Sequence, residues 1–279
     1  MAVKKIIACA DLHFRNLEGL DDLLETLTVF LDKCREIVSA EKSPDDVRIV
    51  IAGDIFESKI NVSNESNIAV GWFFRELNSI CKTIVIAGNH DLVLYNLQRV
   101  DSLSPLFQIG EFQNIVYLDA ELEYQSGCYV DDNIVWCLYS IFSDFDRPEI
   151  DEMRIRYPDN KFVGIFHGDV NGAVDFAGRT TENGIDAGVF ENLDFVIAGH
   201  IHKRQEIKKN GVKVVYCSSI KQKDFGETVN QHGFVLWKIT PKTNTYEFID
   251  IENPKTGFYK FKIDSIKDIE ENKEELLNY

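Results

Sequence analysis

The chain has 279 residues, enough for one large domain, or one and a half, with a sizeable core that needs no disulfide staples. A composition of 44% hydrophobic and 27% charged residues, with only 17 Gly and 6 Pro, excludes a disulfide-stapled miniprotein and extended disorder. The net charge of −16 excludes holding nucleic acid by the overall field, so any nucleic-acid activity must be local.

Lys4 and Lys5 lead directly into a strand-like run that meets Asp11, too short for a secretory h-region, and no apolar run reaches the roughly 18 residues of a membrane span. The six cysteines, Cys9, Cys34, Cys81, Cys128, Cys137 and Cys217, form no CxxC pair. A cytoplasmic location, reduced thiols and no membrane partner are therefore expected. Residues 17–40 carry a stripe at helical spacing (Leu17, Leu20, Leu23, Leu24, Leu27, Phe30, Leu31, Cys34, Ile37, Val38) that Pro44-Asp45 ends. Apolar runs at 5–10, 47–52, 83–87, 162–166 and 194–198 read as five buried strands, an α/β pattern with a largely parallel sheet. Between them, 114–138 reads as a hairpin-rich insert or second sheet. Asn210-Gly211 marks a hairpin, 233–239, 245–251 and 257–263 alternate like antiparallel strands, and 264–279 reads as a charged helix. Residues 1–240 are assigned to the main domain and 241–279 to a short extension of strands plus an acidic helix.

Three of the strands end alike: Val50-Ile51-Ala52-Gly53-Asp54, Val85-Ile86-Ala87-Gly88-Asn89 and Val196-Ile197-Ala198-Gly199-His200. Unequal spacing excludes a tandem repeat, so the repetition marks one geometry, in which glycine lets the backbone turn and the next side chain enters a shared crevice. The other two strands lead into Asp11-Leu12-His13 and His167, so five strand ends deliver Asp11, His13, Asp54, Asn89, His167, His200 and His202. Five of the six histidines fall at these ends, His90 among them, and only His232 lies elsewhere. Seven oxygen and nitrogen donors without a thiolate suit divalent Mn, Fe, Zn or Mg, and exceed what one tetrahedral ion uses. Two ions with a shared carboxylate would use them all and attract a phosphate despite the overall charge.

In this order, Asp11-Leu12-His13, Gly53-Asp54, Gly88-Asn89-His90-Asp91, His167 and Gly199-His200-Ile201-His202 resemble the five motifs of the calcineurin-like metallophosphoesterases. The resemblance implies an α/β fold of two mixed β-sheets packed as a sandwich flanked by helices. It also implies that Asp11, His13 and His202 serve one metal, that Asn89, His167 and His200 serve the other, and that Asp54 bridges. His90 would protonate or stabilise the leaving oxygen, with Asp91 orienting it.

Within the superfamily, Gly53-Asp54-Ile55-Phe56, His167-Gly168-Asp169-Val170-Asn171-Gly172 and the stretch from Val215 to Phe234 resemble the SbcD-type nuclease subunits of DNA recombination and repair. That resemblance implies manganese, DNA as substrate, an SbcC-like coiled-coil ATPase partner and a homodimer. The apolar segment Leu92, Val93, Leu94, Tyr95, Leu97, Val100, Leu103, Leu106 and Phe107 is the expected dimer surface. Arg15 stands where the family has a small residue, and about 40 residues follow the last core strand, fewer than the family's capping domain and ATPase-binding helices use. Seven basic residues between Lys203 and Lys223 face only Glu206, and Lys203, Arg204, Lys208, Lys209 and Lys213, with Arg15, are the expected DNA contacts. The alternative is a cyclic-nucleotide or other small-substrate phosphodiesterase, since those enzymes share every metal motif.

Overall fold

In a computed structural model, which describes residues 2–16, 19–228, 230–252, 257, 258 and 267, the first apolar run forms β1 (Lys5–Cys9). The helix α1 (Leu20–Ser39) buries Leu23, Leu27, Phe30, Leu31 and Cys34 along one stripe, and a turn of 3-10 helix at Pro44–Asp46 separates it from β2 (Val47–Ala52). Next comes α2 (Asn64–Ile80), capped by Ser63, whose Oγ accepts the Ser66 N–H at 3.1 Å, and then β3 (Thr83–Ile86). Short elements follow: α3 (Ser104–Ile109), β4 (Ile115–Tyr117), α4 (Leu118–Glu121), β5 (Gly127–Asp131), β6 (Ile134–Tyr139) and α5 (Ile150–Arg156). The chain continues through β7 (Lys161–His167), β8 (Phe195–Gly199), β9 (Gln205–Lys209), β10 (Val212–Tyr216), β11 (Gly233–Ile239) and β12 (Asn244–Asp250). Asn210 and Gly211, at φ 51° and 85°, make the expected tight turn between β9 and β10.

The strands divide into two mixed six-stranded sheets, ordered β12-β11-β1-β2-β3-β4 and β5-β6-β7-β8-β10-β9. In each, four adjacent strands run parallel and antiparallel neighbours complete the set. The five apolar runs are thus shared between two sheets, and 114–138 supplies an edge to the first and a hairpin to the second. The stretch beyond 240 begins as β12, paired along its length with β11. Most of the expected strand at 257–263 and of the tail helix lies outside the described residues.

Alternation along β1 shows how the sandwich is filled. Ile6 and Ala8 face the core between the sheets, with Trp136, Ile165, Phe195 and Trp237, while Ile7 and Cys9 face α1 and α2. Phe195 and Trp237 stack across the two sheets with ring centroids 3.9 Å apart. At the end of the sandwich where β2 begins, Arg48 reaches from the first sheet to Asp131 of the second, Nε to Oδ2 at 2.7 Å and Nη2 to Oδ1 at 3.0 Å. Lys82 and Trp136 share the same carboxylate.

Candidate metal centre

The C-terminal ends of β1, β2 and β3 in one sheet and of β7 and β8 in the other open onto one mouth. Asp11, His13 and His202 come together there within 4.8 Å, and so do Asp54, His167 and His200. The Nε2 atoms of His13 and His202 face each other at 3.1 Å, and His202 Nε2 stands 3.7 Å from Asp11 Oδ1. Asn89 Oδ1 lies 2.7 Å from His200 Nδ1, which brings the amide into the second group. Asp54 is between the groups: its Oδ2 is 3.7 Å from His13 Nε2 and 3.3 Å from His167 Nε2, while Oδ1 accepts the His90 N–H at 2.8 Å. All seven expected donors therefore meet. Four of them sit at positive φ (Asp11 56°, His13 49°, Asp54 51°, His200 93°), backbone strain of about 1–3 kcal/mol each that the surrounding packing has to hold.

The repeated glycines have a different purpose from the turn read in the sequence. Of the three, only Gly53 has a positive φ, 89°. What they share is the ring of His167. A Cβ on Gly53 would lie 2.4 Å from its Nδ1, on Gly88 2.7 Å from its Nε2, and on Gly199 2.8 Å from its Nδ1. Three bare Cα positions clear the space for one imidazole.

Electrostatics show that these residues suit cations. His167 Nε2 is buried, with no hydrogen-bond partner, while Nδ1 points at the Ala52 carbonyl at 2.7 Å, so the free nitrogen is the one beside Asp54. Burial works to lower the His167 pKa, but the Asp54 carboxylate overrides it and raises the group to about 10. The carboxyl of Asp54 is correspondingly pulled down, against burial, by the surrounding imidazoles. A pocket that draws a proton between these two groups favours positive charge there, and the donor set fits divalent ions. No cysteine joins either group among the described residues.

Sequence reasoning missed the carboxylates behind the ring nitrogens. His202 Nδ1 meets Glu227 Oε1 at 2.6 Å, and His13 Nδ1 meets Glu57 Oε2 at 3.1 Å, which leaves both Nε2 atoms directed at the centre. Despite burial, His13 and Lys223 hold the Glu57 carboxyl down to about 2. Asp169 Oδ2, 3.5 Å from His200 Nε2, completes the set.

Three expectations need correction. Asp91 does not orient His90: fully buried, it accepts the N–H groups of Ile55, Phe56 and Gly88 and so ties the two ligand-bearing loops together, while His90 Nδ1 is held by the Glu57 carbonyl at 2.6 Å. The basic strip also runs away from the mouth. Lys213 pairs with Lys208, one residue before the Val214–Val196 pair, so both sit level with Phe195, roughly 16 Å of strand from His200. Lys208 pairs with Glu206 at 2.7 Å, Lys209 with Asp186 and Arg204 with Asp250; of the expected DNA contacts on this hairpin Lys203 and Arg204 lie at the end near the site, while Lys221 and Lys223 of the same basic stretch lie beside Asp11 and His13. The expected dimer surface is not wholly exposed: before α3 it is a run of turns. Leu92, Val93 and Leu103 are buried in it, and Leu94, Tyr95, Leu97 and Val100 are exposed. Arg15 is near the mouth, its Nη2 donating to the Lys223 carbonyl at 2.8 Å.

Two mixed sheets with this oxygen-and-nitrogen centre at their common mouth define a metallophosphoesterase. Residues 4–204 match the calcineurin-like phosphoesterase model, and the chain belongs to that family of hydrolases. It is 31% identical over 259 residues to the uncharacterized protein R555 of Acanthamoeba polyphaga mimivirus, covering 90% of this chain but spanning only 18% of that protein. It is 24% identical over 278 residues to the SbcD component of the SbcCD nuclease of Staphylococcus saprophyticus, covering 89% of this chain and 69% of the relative. The fold is similar to that of a putative 5'-nucleotidase from Staphylococcus aureus, with a TM-score of 0.50 and 14% identity over 97% of this chain and 57% of the other. No described helix is long and apolar enough to cross a membrane.

Proposed function

We propose that this chain is a two-metal phosphodiesterase that cuts DNA, an SbcD-type nuclease acting in recombination and repair. The observation that carries the two-metal reading is the position of Asp54, with one carboxylate oxygen facing His13 on one side and His167 on the other. Similarity to the SbcD component of the SbcCD nuclease along 89% of the chain supports DNA as the substrate. Asp11, His13 and His202 would hold one divalent ion, Asn89, His167 and His200 the other, and Asp54 both, with manganese the first candidate for an oxygen-and-nitrogen set. The ions would supply Lewis-acid chemistry, activating a water and neutralising charge on the phosphoryl oxygens.

His90 supplies the proton chemistry. A carbonyl only accepts, so the Glu57 contact fixes the proton on His90 Nδ1 and leaves Nε2 to exchange one with the leaving oxygen. The exposed Leu94, Tyr95, Leu97 and Val100 support a homodimer, and the SbcD similarity supports an SbcC-like ATPase partner and a cytoplasmic setting. The deciding assay gives manganese-loaded protein labelled single- and double-stranded DNA, bis-p-nitrophenyl phosphate and cyclic AMP. Cleavage of DNA with little turnover of cyclic AMP is expected, and turnover of cyclic AMP alone would replace this reading with the cyclic-nucleotide one.

A further inference from the structure

Beside Asp11 and His13, on the side of the centre away from His167, lies a cavity of about 150 Å³ whose lining includes Arg15, Lys221, Lys223 and Phe258. Three cations stand against two lining carboxylates, Asp11 and Asp22, a local excess of positive charge in a chain of net charge −16. Two of the cations are held in place. Arg15 Nη2 donates to the Lys223 carbonyl at 2.8 Å, and Lys223 Nζ is 3.4 Å from Glu57 Oε2 and 3.5 Å from His13 Nδ1. Arg15 also approaches Glu57 at 3.9 Å, so its hold is the carbonyl hydrogen bond, whereas Lys221 faces the half-exposed Asp22 at the same 3.9 Å. A largely buried ammonium with so distant a counter-ion is a site for an anion.

The rim has a second, independent construction. Gln222 is buried, and its side-chain amide makes two hydrogen bonds to the backbone of one residue: Nε2 donates to the Phe258 carbonyl at 3.0 Å and Oε1 accepts the Phe258 N–H at 2.7 Å. This fixes an aromatic ring at the cavity. Phe225, 52% exposed, extends the aromatic surface edge-on, with centroids 4.9 Å apart. Fixed cations with a fixed aromatic edge are what a nucleotide recognises, phosphate on the first and base on the second.

We infer that this cavity is a subsite for a neighbouring nucleotide of a single-stranded polynucleotide, with its phosphate held by Arg15, Lys221 and Lys223 and its base against Phe258. The inference rests on the phosphodiesterase reading for what happens at the centre and deepens it by assigning residues that hold the nucleotide next to the one being cut. A space for on the order of ten waters takes a phosphate and part of a sugar, and leaves the base at the rim. Because the cavity shares Asp11 and His13 with the centre, its phosphate would be next to the one being cut. A substrate with a single phosphate could not fill both places.

The test is fluorescence anisotropy with labelled hexathymidylate across a NaCl series, in EDTA so that the strand stays intact and the cations alone hold it. Lys221→Gln should weaken binding about tenfold and lower the slope of log affinity against log salt by about 0.7, the value of one single-strand phosphate contact. Phe258→Ala should weaken binding and leave the slope unchanged. Failure of the parent protein to bind the strand, or an unchanged affinity and slope in Lys221→Gln with an unchanged circular dichroism spectrum, overturns the subsite. Failure of the catalytic reading shows separately, as no hydrolysis of bis-p-nitrophenyl phosphate by manganese-loaded protein that still binds hexathymidylate.

Discussion

Replacing Gly88 by alanine puts a methyl carbon 2.3 Å from both the backbone nitrogen and Oδ1 of Asp54, and 2.7 Å from His167 Nε2. Ordinary contact begins at 3.4 Å, so the new atom is about 1 Å too close to a rigid loop and to two expected metal ligands at once. Overpacking of this kind costs about 1–3 kcal/mol, each worth about 2–4 °C of melting temperature in a domain of this size. The chemistry suffers more, because a shift of about 1 Å in positioned groups costs on the order of a hundredfold in rate. Gly172→Ala is the control: its φ is 92° with nothing within 4 Å of the added carbon, so it carries backbone strain of about 1 kcal/mol and touches no ligand. Differential scanning fluorimetry, manganese titration by calorimetry and turnover of bis-p-nitrophenyl phosphate are measured on both variants. A Gly88→Ala protein that binds manganese as the parent does and keeps its turnover within about threefold would refute the claim that bare glycines clear the His167 ring.

His90→Asn should retain both metals by elemental analysis while losing at least about a hundredfold in phosphodiester turnover. Loss of a metal instead would make His90 a ligand, a role its closeness to His13 and Asp54 permits. Burial raises the Asp119 carboxyl from 3.8 to about 6, so between those pH values the folded chain keeps a proton that the unfolded chain has released. Stability should therefore fall by about 3 kcal/mol as pH rises through that window and level off above it, and in urea unfolding the Asp119→Asn variant should lack this part of the slope. Cys128 and Cys137 are direct partners across β5 and β6 with their sulfurs 3.6 Å apart, so hydrogen peroxide should close a disulfide with release of two waters. Two of the six titratable thiols should then disappear and mass should fall by two hydrogens, whereas Cys128→Ser should show no such bond by peptide mapping.

The apolar runs that became β1, β2, β3, β7 and β8, the stripe that became α1 and the Asn210-Gly211 turn were legible because each pattern depends on local chain geometry alone. So was the gathering of the seven proposed donors at one mouth, since each lies at or just past the end of a buried strand. The division into two sheets was not legible in the apolar runs themselves, since a run buried on both faces reads the same in either sheet; it was expected only from the resemblance of the motifs to the metallophosphoesterases, and the two mixed sheets are found. Gly88 and Gly199 read as turn residues because the sequence cannot show that a ring from β7 lies against them. Asp91 follows His90 in the chain, yet its carboxylate turns toward loop amides. Lys208 and Lys213 follow the last metal motif closely, yet β9 carries them away from it. Glu57 and Glu227 were invisible among 46 acidic residues, because only folding brings them behind His13 and His202.

Each proposed ion draws ligands from both sheets: Asp11 and His13 follow β1 of the first and His202 follows β8 of the second, while Asn89 follows β3 and meets His167 and His200 from β7 and β8. Side chains between the sheets are almost wholly apolar, and the hydrophobic attraction that holds them is non-directional. Registry between the halves is therefore set by polar contacts around the rim: Arg48 and Lys82 to Asp131 and Val3 to Asn133 at one end, Tyr246 to Glu206 and Arg204 to Asp250 along the edge, and the ion site at the other end. Free metal at a hundred times its dissociation constant would add about 2.7 kcal/mol per site to folding. A chelator removes only the contacts at the mouth, so the halves of the chelated protein stay docked along the edge and at the Arg48 end, and the first order lost is the spacing of the donors that catalysis requires.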